Sequence, residues 1–343
     1  MSKVRKQKSE GRKRRVIAIT IGDPAGVGPE VVLKALVDER IRALCRPLVV
    51  GDLRVLETAR GFAGVDLPLR GVSGIAEAQF AAPTLEVLDL GNCDPAQVVL
   101  GQISPLAGRA AVESVVRATE LALAGQVAAI VTAPLNKAAM RSAGYDYVGH
   151  TEILADLCHA PGVTTMLVSG PLRVVHVTRH VPLSEVTSLI TRKRVLETIR
   201  LTHEGMRLWG IREARIGVAA LNPHAGESGL LGREEIEEIS PAVRAARAQG
   251  IEAQGPIPAD SIFFRAIRGE FDAVVAMYHD QGHIPIKTYG FERSVAVTLG
   301  LPIVRTSVDH GTAFDIAGQG VADPTSMKEA IRLAVQLGAS FPL

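Results

Sequence analysis

Residues 271–287 read FDAVVAMYHDQGHIPIK. The apolar run 271–277 has the length and β-branched content of a buried strand. It ends in His279, Asp280, His283 and Lys287, side chains that bind metals, move protons and carry charge. In open α/β sheets, ligands bind just outside the carboxyl ends of strands. The stretch therefore predicts a sheet and a site at its edge.

The same alternation recurs outward. Residues 16–21 (VIAITI) read as a strand, then the glycine-rich loop 22–30 (GDPAGVGPE), then a helix over VVLKALVDERIRAL. Pro29 suits the first turn of that helix. The loop is neither GxGxxG nor a Walker A loop; it is an anion site or a tight structural turn. Residues 47–52 and 128–132 read as strands, and 106–123 as an amphipathic helix. Lys137 stands at a strand-to-helix turn. Residues 149–152 (GHTE) precede another helix, so His150 and Thr151 lie where free N–H groups can hold a phosphate. The plainer reading makes Thr151 an N-cap. Residues 164–168 and 172–177 read as an antiparallel pair turning at Gly170-Pro171, with His176 and His180 four apart. A helix over 193–209, a strand over 215–221 ending at Asn222-Pro223-His224, and Asp260-Ser261 as an acidic N-cap come next. Residues 294–298 and 301–305 read as strands, and a helix runs over 325–337. The fold class is α/β with a mostly parallel sheet.

At 343 residues the chain suits about two domains. Hydrophobic content of 47% with 22% charged residues is ordinary for a globular protein. No apolar run is long enough for a membrane span, and no signal-peptide core follows the start. A cytoplasmic location is the expectation. Of the 38 Lys and Arg, eight fall in residues 1–15, against one of the 36 Asp and Glu. That basic tail is expected to be disordered, and the acidic body gives no reason to expect nucleic acid. Cys45, Cys93 and Cys158 are scattered, which argues against disulfides or a thiolate metal site and for small buried hydrophobes.

His180, His224 and His279 each follow a predicted strand. Imidazole is a common ligand for divalent transition metals, and three His with an open position make a catalytic arrangement. Spacing alone leaves open whether they are ligands or ordinary structural and surface histidines. Lys287, Arg305, His150 and Thr151 form a candidate anion set. The alternative for the two cations is a surface ion pair, but Arg305 ends the run LPIV and is expected to be partly buried against a partner.

The blocks GDPAGVGPE (22–30), TAPLNKAAM (132–140), GHTE (149–152), LNPHAGE (221–227), GPIPADS (255–261), AMYHDQG (276–282) and LGLPIVRTSVDHGTA (299–313) resemble, in order, the 4-hydroxythreonine-4-phosphate dehydrogenase family. The resemblance covers nearly the whole chain after the tail. It implies two α/β/α domains of the isocitrate and isopropylmalate dehydrogenase type, with a cleft between them. Residues 16–135 with 305–343 would form one domain and 136–304 the other, after a tail at 1–15. It also implies a homodimer with the active site at its interface. His180, His224 and His279 would be ligands of a divalent metal (Zn, Mg, Co or Mn), one of them contributed across the interface. His150, Thr151, Lys287 and Arg305 would bind a phosphorylated substrate, and NAD would be the oxidant. Asp260 is the candidate for a cofactor contact. Lys287, or a water near Asp280, would move protons. His283 is demoted to a neighbour.

One position departs from the pattern. Biosynthetic members place an Asn where this chain has Ala296, which removes an amide able to reach substrate. The blocks YHDQGHIPIK and TAPLNK look more like the branch that oxidises D-threonate or D-erythronate 4-phosphate to dihydroxyacetone phosphate and carbon dioxide. The alternative is 4-hydroxythreonine 4-phosphate in pyridoxal phosphate biosynthesis. A further branch acts on aromatic cis-dihydrodiols, against which GHTE counts. More distant alternatives are a phosphate acyltransferase-like enzyme, a metal-dependent hydrolase or aldolase without NAD, and a non-catalytic binding protein.

Overall fold

The structure, a computed structural model, describes residues 14–160 and 162–341. Apart from Arg14 and Arg15, the expected basic tail lies outside the described residues.

The chain begins β1 (Val16–Thr20), α1 (Gly28–Leu36), α2 (Glu39–Arg42), β2 (Arg46–Gly51) and α3 (Leu53–Ala63). Then come β3 (Leu69–Val72), β4 (Leu85–Asp89), α4 (Pro105–Leu123), β5 (Ala129–Thr132), α5 (Lys137–Ser142) and α6 (His150–Leu157). The middle of the chain supplies β6 (Thr164–Ser169), β7 (Leu172–His176), α7 (Leu183–Leu189), α8 (Arg192–Met206), β8 (Ile216–Ala219) and α9 (Ser240–Arg247). It continues with β9 (Ala253–Ile257), α10 (Ala259–Ile267), β10 (Ala273–Ala276), α11 (His279–Gly290) and β11 (Val295–Leu299). The last elements are β12 (Arg305–Val308) and α12 (Thr325–Ser340).

The twelve strands among the described residues form one sheet, ordered β3-β4-β2-β1-β5-β12-β11-β6-β7-β10-β8-β9. The pairings are parallel except at β12–β11, β11–β6 and β6–β7. The mostly parallel α/β sheet is thus as expected, with an antiparallel seam through its middle. Parallel strands need helical crossovers that bury both faces, and the two faces are covered differently. On one face a single apolar cluster runs the length of the sheet, joining Ile17 and Ile19 to Met206, Val297 and Met327. On the other face there are two separate clusters. One contains Ile130 with residues of α4 and α6. The other contains Leu167, Val174 and Ala296 with residues of α10 and α11. Polar side chains occupy the gap between them.

Several expected elements shift. The first long helix breaks at Val37, and Asp38 caps α2 by accepting from the Arg40 N–H. Residues 301–304 are not strand; β12 begins at Arg305 instead of ending there. Asp260 is not an N-cap: Pro258 holds that position and Asp260 lies exposed in the first turn of α10. Cys45 and Cys93 are buried and their thiols are pushed up to about 12 by that burial, whereas Cys158 is only half-buried.

Candidate active site

The gap between the two clusters carries a row of polar side chains across the antiparallel seam. Arg305 pairs in register with Ile130 of β5, so it shares a face with Ile130 and Thr132. Thr298 of β11 lies on the face of Ala296 and pairs with Thr165 of β6. His176 ends β7 on the same face as Val174. The row therefore runs from Thr132 through Arg305, Thr298 and Thr165 to His176.

Arg305 is 4% exposed. Its Nε and Nη2 donate to Thr132 Oγ1 at 3.1 and 2.6 Å, and its Nη1 donates to Thr298 Oγ1 at 3.0 Å. Burial pulls its pKa down to about 9; Glu152 acts on it from beyond ion-pair distance. The expectation of a buried Arg305 holds, but its partners are hydroxyls instead of an acid. A buried guanidinium without a counter-ion is costly unless something anionic arrives.

His150 is the first residue of α6, whose N-cap is Gly149, so Thr151 is not the cap. The His150 Nε2 is buried without a hydrogen-bond partner. Burial, with Arg305 adding to it, holds the ring well below the usual histidine range and so neutral. Lys137 opens α5 nearby, and a side chain at Gly149 would meet both Lys137 and Glu152 within 4.0 Å. The structure thus joins Arg305, His150 and the α6 N-terminus at one end of the row, with Lys137 added.

At the other end, β7 and β10 aim histidines at one another. His180 and His279 have ring centroids 5.6 Å apart. His279 stacks on His283 at 3.6 Å, and His176 lies 4.7 Å from His283. The stretch after β10 is helix despite Gly282 and Pro285, which puts His279, His283 and Lys287 on one face of α11. A Cβ at Gly282 would lie 2.2 Å from His176 Nε2, so only glycine lets α11 sit this close. His176 is driven down to about 3 by burial, then by His283 and His279. Burial also lowers His180 and His283.

Two of the three expected metal ligands have a carboxylate on Nδ1. Asp280 lies 2.6 Å from His279 Nδ1, and Glu227 lies 2.7 Å from His224 Nδ1. Such a bond fixes the tautomer that leaves Nε2 free for a metal. His224 nonetheless stands apart, exposed in a loop with φ of 53°. Among the described residues, no three His, Cys, Asp or Glu groups converge as a metal site.

Lys287, a candidate substrate-binding cation, sits in an ion pair. Its Nζ lies 2.6 Å from an Asp309 carboxylate oxygen and 3.1 Å from the Asp309 carbonyl. It lines a cavity of about 520 Å³ with Val27, Val31, Phe291, Asp309 and Ile316. A second cavity, about 420 Å³, opens beside Arg179, His180, His279 and Asp280. Asp260 lines neither. A larger one, about 830 Å³, is lined by Arg14, Arg42, Arg46 and Phe80 and holds none of the candidate residues. Sequence reading missed Arg179, Asp309 and the threonine row. Arg179 could have been noticed from its place directly before His180.

The family model described as "Pyridoxal phosphate biosynthetic protein PdxA" matches residues 43–334. The chain belongs to the PdxA family. It is 50% identical over 323 residues to D-threonate 4-phosphate dehydrogenase from Cupriavidus necator, covering 94% of this chain and 97% of that one. A putative D-threonate 4-phosphate dehydrogenase from Symbiobacterium thermophilum is 48% identical, over 96% of this chain and 98% of that one. The crystal structure of 4-hydroxythreonine-4-phosphate dehydrogenase from Klebsiella pneumoniae superposes with a TM-score of 0.89 at 43% identity, covering 95% and 98%. This PdxA-family chain is an oxidoreductase acting on CH–OH groups. No described helix is long and apolar enough to cross a membrane.

Proposed function

We propose that this PdxA-family enzyme oxidises and decarboxylates D-threonate 4-phosphate or D-erythronate 4-phosphate, with NAD and a divalent metal ion. The observation that carries the reading is the buried Arg305, which among the described residues has no acid at ion-pair distance, near the His150 Nε2, which has no hydrogen-bond partner among them. A phosphate there would accept from the guanidinium fork, His150, Thr151 and the α6 N-terminus.

The imidazole donor set at the other end of the row suits Zn or Co better than Mn or Mg, which prefer oxygen ligands. His180 and His279 would hold the ion from one copy and His224 from a second copy, which makes the working enzyme a homodimer. The cavity beside Lys287 and Asp309 has the volume and apolar lining for a dinucleotide. When bound, the ion supplies Lewis acidity at the substrate's oxygens and the oxidised dinucleotide accepts hydride. This chain's residues fix the rest. Arg305 and His150 anchor the phosphate, so that C3–H and its hydroxyl face the histidines. Asp280 orients His279 through Nδ1. Loss of carbon dioxide from the 3-keto acid leaves an enolate at C2, which Lys287 protonates; Asp309 restores the ammonium's proton from solvent. Dihydroxyacetone phosphate results. The strand order supports dividing the chain into 16–135 with 305–343 and 136–304, and we place the enzyme in the cytoplasm.

Ala296 favours the sugar-acid substrates over 4-hydroxythreonine 4-phosphate. It lies on the face of Thr298, one step along β11, where a methyl group offers an amino-bearing carbon no hydrogen bond. The test is NADH formation, with magnesium or zinc present, from D-threonate, D-erythronate and 4-hydroxythreonine 4-phosphates. Turnover of the first two supports the reading. Turnover of the third alone moves the enzyme to pyridoxal phosphate biosynthesis.

A further inference from the structure

Arg179 is the cation of this site that no expected role absorbs. It follows β7 and reaches back onto the polar row, where its Nη1 donates to Thr165 Oγ1 at 3.1 Å. That is its one side-chain hydrogen bond, and among the described residues no acid lies at ion-pair distance. The side chain is half-buried and lines the 420 Å³ cavity beside His180 and His279. Its charge reaches two of the four histidines at this end of the row, adding to the burial that lowers His176 and His180.

The two unpaired arginines occupy one row. Arg305 donates to Thr298, Arg179 donates to Thr165, and these threonines are register partners on adjacent strands. Paired Cβ atoms lie about 5 Å apart. The guanidinium groups are therefore separated by one to two strand spacings, roughly 5–10 Å. That gap fits an extended four-carbon chain with an anion at each end. Arg305 is buried between Thr132 and Thr298, near His150 and the α6 N-terminus, which suits the bulkier phosphate. Arg179 lies toward the histidines and the open cavity, which suits a planar carboxylate on a two-pronged fork.

We infer that Arg179 binds the substrate carboxylate, so that the site selects phosphorylated acids over phosphorylated polyols or aldehydes of the same length. This rests on the phosphorylated hydroxy-acid reading above. The carboxylate loses its charge as it leaves as carbon dioxide. Arg179 therefore holds the ground state at least as tightly as the transition state, and its loss falls on KM more than on kcat.

The experiment is calorimetric titration of the magnesium-loaded enzyme with D-threonate 4-phosphate and with threitol 4-phosphate, the same chain carrying an alcohol in place of the carboxylate. Arg179→Gln is expected to weaken the acid by about 30-fold, the loss of a charged hydrogen-bond pair, and the polyol by less than about 3-fold. Arg179→Lys keeps the charge without the fork and should fall between. Arg305→Gln should weaken both ligands. Equal loss for both ligands in Arg179→Gln would mean a packing role and overturn the inference, as would no loss for either. Wild-type enzyme that binds neither ligand would overturn the phosphate reading and this inference together. Wild-type enzyme that binds both, with Arg179→Gln unchanged, would overturn this inference alone.

Discussion

Arg305 and His224 stand at opposite extremes of one candidate site. Arg305 is enclosed by the sheet, with three hydrogen bonds to two threonines fixing its fork. His224 is 67% exposed, in a loop where His224, Ala225, Glu227 and Ser228 all take left-handed φ values. Each such non-glycine residue costs roughly 1–2 kcal/mol. Strained residues of this kind persist where surrounding structure or function requires them. The proposed anion end is thus organised by β-pairing within one chain. At the histidine end, His180 and His279 come together while His224 stays apart in its exposed loop.

The comparison breaks most visibly if the histidine end proves dispensable. His279→Ala should lower kcat/KM by ~10³-fold or more, from several kcal/mol of lost charge stabilisation, with metal content falling by elemental analysis. His224→Ala should match it. Retained metal in either variant would remove that residue from the ligand set. At the anion end, Arg305→Met should lower kcat/KM by ~30- to 10³-fold, the equivalent of about 2–4 kcal/mol. Its Tm should stay level or rise, because a buried charge without a counter-ion is replaced by an apolar chain. A Tm fall as large as that of an ordinary core truncation would show that the guanidinium is structural.

Asp280→Asn sharpens the contrast. It should weaken metal binding by about 10–100-fold through the Nδ1 contact to His279 and leave phosphate binding untouched. The smallest effect concerns the loop beside the anion end. Asp23 is buried, with one carboxylate oxygen accepting from the Ala25 N–H and the other unpartnered. Burial raises its pKa to about 6 from 3.8. A carboxyl raised in the folded state stabilises the fold fully below about pH 4, and that contribution is lost as pH rises through about 6. Asp23→Asn should therefore match wild type near pH 4 and exceed it at pH 8 by roughly 1–3 kcal/mol in urea titration. Equal stability at both pH values would place Asp23 in a solvated setting.

Much of this was legible in the residues. Strand-to-helix alternation located β1, β2, β5, β10 and α4 because apolar runs and helical periodicity speak locally. His279 and Arg305 could be singled out because each is a charged or titratable group at the end of an apolar run, and His150 because GHTE precedes a helix. Other features depend on register. The row Thr132, Arg305, Thr298 and Thr165 exists only because four strands pair in one alignment, and threonine in a strand is otherwise unremarkable. An ion pair was a stated alternative for Lys287, but its partner could not be named, because Asp309 is 22 residues away in sequence. Residues 301–304 mimic a strand in composition, but the run bends and leaves β12 to begin at Arg305.

The order of strands also fixes a sequence of events during synthesis. Residues 164–299 supply β6 to β11 as one contiguous run, whereas β5 finds its other neighbour only in β12, at residues 305–308. At about 5–20 residues per second, the ribosome needs roughly ten seconds or more to pass from β5 to β12. Throughout that interval β5 is an open sheet edge able to pair with another chain. The later run can close its own pairings while the earlier one waits for Arg305. The residue expected to grip the substrate is thus on the strand whose arrival seals the fold.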